Sequence, residues 1–251
     1  MYNVGIDIGS TASKVVVMDQ AKKDILQTRL QPSGWNSKET AENILHWLED
    51  EGYARDQCTI VATGYGRVSV PFADRVVTEI TCHGVGAASL CRGDVTVIDI
   101  GGQDTKVIVL QDGMVTDFIM NDKCSAGTGR FLEIMANRLG LTLEEVFDFA
   151  ARGGDVTISS TCTVFAESEI ISLMGKGVPR EDIAAGVIDS ICSKVVALVN
   201  RKPHVNQYFL SGGFCDSEFM IEELAKRLKA EVTSHEYARY AGAVGAALLA
   251  K

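Results

Sequence analysis

The chain opens with Gly5-Ile6-Asp7-Ile8-Gly9-Ser10, and a matching stretch, Val97-Ile98-Asp99-Ile100-Gly101-Gly102, returns before its middle. In each copy an apolar run carries an aspartate, one residue and then a glycine turn, and a second β-rich run follows. Two such runs joined by a tight turn of small residues predict a β-hairpin. Because the whole pattern is repeated, we predict an α/β fold built from two related domains.

The first predicted domain covers residues 1–95 and is completed by a C-terminal helix over residues 240–251, and the second covers residues 96–239. In the first domain we predict strands over residues 4–8, 13–18, 25–31, 59–63 and 76–80, and helices over residues 37–51 and 83–91. In the second we predict strands over residues 95–100, 105–110 and 208–210, and helices over residues 127–139, 142–151, 163–174, 180–200 and 217–228. Ser37 is expected to cap the first helix, whose apolar residues recur at helical spacing.

The composition is that of a packed protein, since 46% of the 251 residues are hydrophobic and 23% are charged. A formal charge of -9 would repel a phosphate backbone, so we expect no nucleic acid partner. Asp, Lys or Gly interrupts every apolar run before the roughly 18 residues of a membrane span, so we expect no membrane role. The N-terminus enters a strand without a secretory signal, and we expect a cytoplasmic protein. In that reducing compartment, the seven cysteines are thiols, metal ligands or core residues rather than disulfides.

The two glycine turns are candidate phosphate-binding loops, because small residues let backbone N–H groups approach an oxygen-rich ligand. A single turn of this kind is more often a plain β-turn, but two that clamp a polyphosphate are a stronger signal. A third glycine pair, in Leu210-Ser211-Gly212-Gly213, is expected to admit the adenosine. The candidate nucleotide-binding residues are Asp7, Gly9, Ser10, Thr11, Ser13, Lys14, Asp99, Gly101, Gly102, Gln103, Gly127, Thr128, Gly129, Ser211, Gly212 and Gly213.

The carboxylates beside these turns are candidates for holding Mg²⁺ through water, since that ion prefers carboxylate, water and phosphate oxygens. Asp7 and Asp99 are the first candidates, and Asp104 is a third. Gln103 or Asp104 is expected to orient the attacking water if the nucleotide is hydrolysed.

The ordered set DxGST, DxGGQD and SGG, each after an apolar strand, resembles the superfamily that includes actin, the heat-shock ATPases and the sugar kinases. This resemblance implies two ribonuclease-H-like domains with ATP in the cleft between them. The late segment Tyr240-Ala241-Gly242-Ala243-Val244-Gly245-Ala246 is similar to the second interdomain helix of that fold. The chain lacks GxxxxGK[ST], so it does not resemble a P-loop enzyme.

Two further segments resemble a narrower family, the ATPases that activate 2-hydroxyacyl-CoA dehydratases and the related benzoyl-CoA reductase ATPases. They are Asn121-Asp122-Lys123-Cys124-Ser125-Ala126-Gly127-Thr128-Gly129-Arg130-Phe131 and Ser159-Ser160-Thr161-Cys162-Thr163-Val164-Phe165-Ala166-Glu167-Ser168. By this resemblance, Cys124 and Cys162 bind a [4Fe–4S] cluster. Each cysteine is expected just before a helix, whose N-terminus favours a thiolate or an anionic cluster.

Two cysteines cannot supply the four thiolates that such a cluster normally takes from protein, whereas a two-fold homodimer can. We therefore expect one [4Fe–4S] cluster per homodimer. The other cysteines lack CxxC spacing and are expected to be core residues; they are Cys58, Cys82, Cys91, Cys192 and Cys215. The histidines are scattered singly and are expected to have surface or structural roles; they are His46, His83, His204 and His235.

The resemblance implies an ATPase that drives low-potential electrons from a donor such as ferredoxin or flavodoxin to a dehydratase or a related iron–sulfur reductase. It does not identify that partner enzyme or its substrate. Two alternatives use the same fold: a small-molecule kinase, such as one acting on an amino sugar, and an ATP-dependent assembly protein without a cluster. The segment Thr63-Gly64-Tyr65-Gly66-Arg67 also resembles a loop of the activators, and its role is left open between a turn and a docking loop.

Overall fold

A computed structural model describes residues 1–91, 93–159 and 162–251. The strands of the first sheet are β1 (Tyr2–Ile8), β2 (Ala12–Met18), β3 (Ile25–Pro32), β4 (Cys58–Thr63) and β5 (Arg75–Val76). Those of the second are β6 (Thr96–Ile100), β7 (Thr105–Gln111), β8 (Met114–Asn121), β9 (Gln207–Gly212) and β10 (Glu231–Thr233). The α-helices are α1 (Ser37–Asp50), α2 (Glu79–Leu90), α3 (Gly129–Leu139), α4 (Leu143–Ala150), α5 (Thr163–Gly175), α6 (Arg180–Val199), α7 (Glu218–Leu228) and α8 (Ala241–Leu248).

The two sheets have the same strand order. The first sheet runs β3-β2-β1-β4-β5. Read from the corresponding edge, the second runs β8-β7-β6-β9-β10, so in each sheet the strand that comes first in sequence is central. In the first sheet, β1 pairs antiparallel with β2 and parallel with β4, and Asp7 lies opposite Lys14. The predicted hairpin is therefore confirmed, as is the α/β fold with two ribonuclease-H-like halves.

The chain divides into two compact units. The first unit contains Met1–Val97, Ile108–Phe118 and His235–Lys251, and the second contains Ile98–Val107 and Ile119–Ser234.

The core of the first unit lies on both faces of its sheet. Val15 and Val17 of β2 pack in a cluster with α1, whereas Val16 and Met18 pack in a second cluster with α8. A strand covered on both faces is apolar without alternation, which explains the continuous run in the sequence. Helix α8 packs so closely on Gly5 of β1 that a Cβ atom there would lie 1.8 Å from the Ala243 carbonyl oxygen.

Several predicted boundaries are wrong. The strand predicted over residues 76–80 is confined to Arg75–Val76, and α2 begins at Glu79 rather than at residue 83, because an acidic residue after Thr78 suits a helix N-terminus. Asn36, not Ser37, caps α1 by accepting the Lys38 N–H.

The predicted helix over residues 127–139 begins at Gly129 instead. Gly127 has φ of +86°, a left-handed conformation that cannot start a right-handed helix. Two strands were missed, β8 and the three-residue β10. The signal for β8 was present, because Asp112-Gly113 is the two-residue turn typical of a β-hairpin and both residues have positive φ,.

Among the described residues, no helix is long and apolar enough to cross a membrane.

Candidate nucleotide site and cysteine pair

In the first unit, Asp7 lies at the end of β1 with its side chain only 3% exposed. Its Oδ2 atom is 3.8 Å from Lys14 Nζ and 4.0 Å from His83 Nε2. Its Oδ1 atom is buried and has no hydrogen-bond partner in the described part of the chain. A buried carboxylate oxygen without a donor is costly unless a ligand satisfies it, so this oxygen fits a hydrated cation.

The turn after β1 presents backbone donors. The Gly9 N–H donates to the Ala12 carbonyl at 3.2 Å, but no described group accepts the N–H of Ser10 or Thr11. Both residues are exposed. The buried Ser13 hydroxyl is hydrogen-bonded to Ser33 at 2.8 Å, so its role is to hold the turn.

The second unit repeats this arrangement with stronger charge pairing. The Lys106 ammonium group is 3.3 Å from Asp99 Oδ2 and 2.7 Å from Asp104 Oδ2, and its side chain is 2% exposed. Ser211 Oγ donates to Asp99 Oδ1 at 2.8 Å. Both oxygens of Asp99 are therefore engaged within the unit.

The second turn also leaves donors available. The Gly101 N–H donates to the Asp104 carbonyl at 2.9 Å, and no described group accepts the N–H of Gly102 or Gln103. The carbonyls of Gly101 and Gly102 accept from the N–H groups of Gly129 and Arg130 at 2.9 and 2.7 Å, which fixes the turn against the start of α3.

The duplication extends further than its sequence pattern suggested. Lys14 and Lys106 stand at the same offset from Asp7 and Asp99, and each lysine pairs with its aspartate. Lys14 was predicted as a nucleotide-binding residue and Lys106 was missed, because a lysine inside an apolar strand has no local signature.

The loop that begins Thr63-Gly64 is the first unit's counterpart of Ser211-Gly212. Gly64 follows β4 and has φ of +84°, while Gly212 ends β9 and has φ of +89°. A Cβ at Gly64 would lie 2.5 Å from the Ile8 carbonyl oxygen, and one at Gly212 would lie 2.3 Å from that of Ile100. Each loop therefore packs directly on the end of the central strand, and only glycine fits there.

The other predicted nucleotide residues differ in exposure and in hydrogen bonding. Gly213 is exposed beside Ser211 and Gly212, which are buried. The Gly127 carbonyl accepts from Thr105 Oγ1 at 2.7 Å, and Thr128 Oγ1 donates to the Ser125 carbonyl at 2.7 Å. These two groups hold their own loop together, and a nucleotide contact from Gly127, Thr128 or Gly129 stays a prediction.

His83 was assigned only a structural or surface role, yet it is buried beside Asp7 and lies 3.9 Å from Glu79 Oε1. A Cβ at Gly242 would be 2.8 Å from Asp7 Oδ2 and 2.9 Å from His83 Nε2. The backbone of α8 therefore closes one side of this pair. No sequence pattern signals it, since the contact depends on how α2 and α8 pack.

Cys124 and Cys162 are exposed, whereas Cys58, Cys82, Cys192 and Cys215 are buried and Cys91 is half-buried. Desolvation raises the pKa of Cys82 to about 11 and that of Cys192 to about 12. These two thiols stay protonated at neutral pH, as core residues do.

The two exposed cysteines lie on segments that contact each other. Cys162 is the N-cap residue of α5, as predicted, and Ser125 Oγ is hydrogen-bonded to Thr163 Oγ1 at 2.8 Å. Cys124 was also expected just before a helix, but it lies in a loop well ahead of α3. The dipole argument therefore holds for Cys162 alone.

Asn121 fixes the loop of Cys124 and was not predicted. Its Nδ2 donates to the Cys124 carbonyl at 2.8 Å, and the Cys124 N–H donates to its Oδ1 at 3.3 Å. Of the second cysteine segment, Ser160 and Thr161 lie outside the described residues. Just before them, Ser159 donates to Glu169 from its N–H and its hydroxyl at 3.1 and 3.0 Å.

A profile of the BadF/BadG/BcrA/BcrD ATPase family matches residues 4–250. The chain belongs to this ATPase family. It is 42% identical over 253 residues to the (R)-2-hydroxyglutaryl-CoA dehydratase activating ATPase of Acidaminococcus fermentans, covering 100% of this chain and 97% of that protein. It is 41% identical to the activator of lactoyl-CoA dehydratase of Anaerotignum propionicum, with the same coverage of both chains.

The ATPase also matches the solved structure of the activator of the 2-hydroxyisocaproyl-CoA dehydratase from Clostridium difficile with bound ADPNP. The TM-score is 0.93 at 38% identity, and the match covers 100% of this chain and 94% of that one. The expected actin-like fold and ATP binding are confirmed.

Proposed function

We propose that this ATPase activates a 2-hydroxyacyl-CoA dehydratase or a related iron–sulfur reductase, as a homodimer that holds one [4Fe–4S] cluster. The observation that carries the proposal is the cysteine pair. Cys124 and Cys162 are the two exposed cysteines of the seven, and the Ser125–Thr163 hydrogen bond joins their segments. Buried core cysteines would show neither feature.

The homodimer follows from the number of ligands. Among the described residues of a single chain, no group of three or more His, Cys, Asp or Glu side chains is placed to hold a metal. Two thiolates from each of two chains supply the four that a [4Fe–4S] cluster needs. When bound, such a cluster supplies a carrier for one electron. Cys162, at the N-terminus of α5, and Cys124, whose loop Asn121 holds in position, would bind the cluster,.

For the nucleotide, we propose that the free N–H groups of Ser10, Thr11, Gly102 and Gln103 bind phosphate oxygens. Asp7 Oδ1 would hold a hydrated Mg²⁺, and that ion would neutralise phosphate charge when bound. Gln103 is exposed and orients the attacking water, while Lys106 holds Asp104 next to it,.

The partners follow from this chemistry. A donor such as ferredoxin or flavodoxin reduces the dimer, and the dehydratase or reductase accepts the electron. ATP hydrolysis supplies free energy by changing the relative stability of two conformations of the activator. The relatives named as dehydratase activators support this assignment through their identity over the whole chain.

The test is the iron and sulfide content of protein purified without oxygen, together with its visible absorbance and oligomer mass. We expect about four irons per dimer. Cys124→Ser and Cys162→Ser should each lose the cluster but keep ATP binding, and Cys91→Ser is the matched control that keeps both. A wild type without iron that still hydrolyses ATP, or that phosphorylates an amino sugar, would overturn the proposal.

A further inference from the structure

A concave surface lies beside Cys124, outside the proposed nucleotide site. It is a cavity of about 450 Å³ between the Cys124 loop and the end of α6, lined by Thr105, Asn121, Cys124, Ala126, Gly127, Lys194, Val195, Ala197, Leu198 and Arg201. No acidic residue is among these described lining residues. We call it the Lys194–Arg201 surface.

The surface carries two cations, Lys194 and Arg201. In the described residues, no carboxylate lies within ion-pair distance of the side chain of Lys194 or Arg201. The neighbouring Lys123 and Asp122 pair with each other at 3.4 Å and add little net charge. The protein has a formal charge of -9. A surface with two unpaired cations and no acidic residue in its described lining is therefore a positively charged patch on a negatively charged protein.

The position of Lys194 is fixed by the cysteine loop itself. Gly127 has φ of +86° and packs on α6, so that a Cβ there would lie 2.8 Å from Lys194 Cβ. The Asn121 side chain, which also lines the cavity, hydrogen-bonds the Cys124 backbone. A partner that binds this surface therefore touches the loop that carries Cys124.

We propose that the Lys194–Arg201 surface is the docking site of an acidic electron-carrier protein. This inference rests on the proposed function. Interfaces of electron-transfer partners are small and short-lived, and charge complementarity raises their association rates. A local positive patch beside the exposed cysteine matches that chemistry. On docking, one electron leaves the reduced carrier and reduces the dimer by one electron, with no bond made or broken.

The exposed apolar side chains of α5 provide a contrast. Val164, Phe165, Ile171 and Met174 are 43% to 68% exposed, and such an apolar face suits a more lasting contact than electron-carrier docking. The charge on the Lys194–Arg201 surface is what favours the transient, acidic partner.

The experiment uses the dimer after anaerobic purification and an acidic bacterial ferredoxin as the probe. The binding constant and the rate of electron transfer are measured for the wild type, Lys194→Glu, Arg201→Glu and the milder pair Lys194→Gln with Arg201→Gln. We expect each charge reversal to weaken binding about tenfold at low ionic strength, and the difference to shrink in about 0.5 M salt. Lys38→Glu, an exposed lysine of α1 in the other unit, is the matched control and should have little effect.

Reduced methyl viologen, a small cation, provides the second control. Its electron-transfer rate should not fall in the variants, because this small molecule does not dock through the positively charged Lys194–Arg201 surface. Ferredoxin binding that is unchanged in the variants, or that falls equally in Lys38→Glu, overturns the inference. Iron content is measured separately, so a wild type that binds ferredoxin through this surface but contains no iron would contradict the proposed function and not the docking site.

Discussion

Replacing Lys106 by methionine should destabilise the second unit far more than the equivalent change at Lys14 destabilises the first. Lys106 is 2% exposed and serves two carboxylates at 3.3 and 2.7 Å. Lys14 is 18% exposed and lies 3.8 Å from one. The two lysines occupy equivalent positions in the duplicated hairpins, so each variant is the control for the other.

The magnitudes follow from burial. Removing one partner of a buried ion pair costs about 3–5 kcal/mol, because the remaining charge is left uncompensated. For Lys14, the pair is longer, at 3.8 Å, and the lysine is partly solvated, so less attraction is lost on its removal and the cost falls to about 1 kcal/mol even though Asp7 itself is buried,. A difference of about 2 kcal/mol or more corresponds to a change of roughly thirtyfold in a local opening equilibrium.

Hydrogen exchange followed by mass spectrometry measures this opening for each unit separately. Lys106→Met should speed exchange of the amides in Ile98–Val107, whereas Lys14→Met should have a small effect on β1 and β2. Adding Asp104→Asn to Lys106→Met should restore part of the protection, since one unpaired carboxylate is removed. Equal effects of the two lysine variants would show that the second network is not the tighter one, and the reasoning would be refuted.

Three further results are expected. Asn121→Leu should speed iron release to a chelator about tenfold or more, as loss of groups that orient metal ligands usually does. With cluster-free protein at pH 8, two thiols should react quickly with Ellman's reagent and the others slowly. Burial raises the pKa of Cys82 to about 11 and of Cys192 to about 12, so both stay protonated there; seven fast thiols would contradict the burial pattern. Gly242→Ala should lower the free energy of unfolding by about 1–3 kcal/mol, because the added Cβ would lie 2.8 Å from Asp7 Oδ2,. Gly175→Ala, with nothing within 4 Å, should be nearly neutral.

The sequence was sufficient for the parts of the fold that depend on local pattern. The repeated apolar strand, aspartate and glycine turn predicted both hairpins, and the exposed state of Cys124 and Cys162 agrees with their selection from seven cysteines. The missed strand β8 was a failure of interpretation, since Asp112-Gly113 is a readable hairpin turn,.

Other parts of the site depend on packing that no pattern encodes. A lysine in an apolar strand is unexpected from the sequence, and the ion pairs of Lys106 with Asp99 and Asp104 in the structure explain it. His83 lies on a helix of small residues and meets Asp7 only because α8 passes close to α2 at Gly242, Gly86 and Gly245. Such contacts join residues far apart in sequence, and one sequence read by itself gives no signal for them.

The comparison of the duplicated sites separates two candidates that the sequence treated as equal. Asp7 and Asp99 were both proposed to hold Mg²⁺. Asp99 receives the Ser211 hydroxyl on one oxygen and Lys106 on the other, so a cation there would displace existing partners. Asp7 keeps a buried Oδ1 without a donor in the described residues, and satisfying that oxygen recovers a desolvation cost. We therefore propose Asp7 rather than Asp99 as the magnesium residue, and we propose that Asp99, with Lys106, holds the second turn in shape.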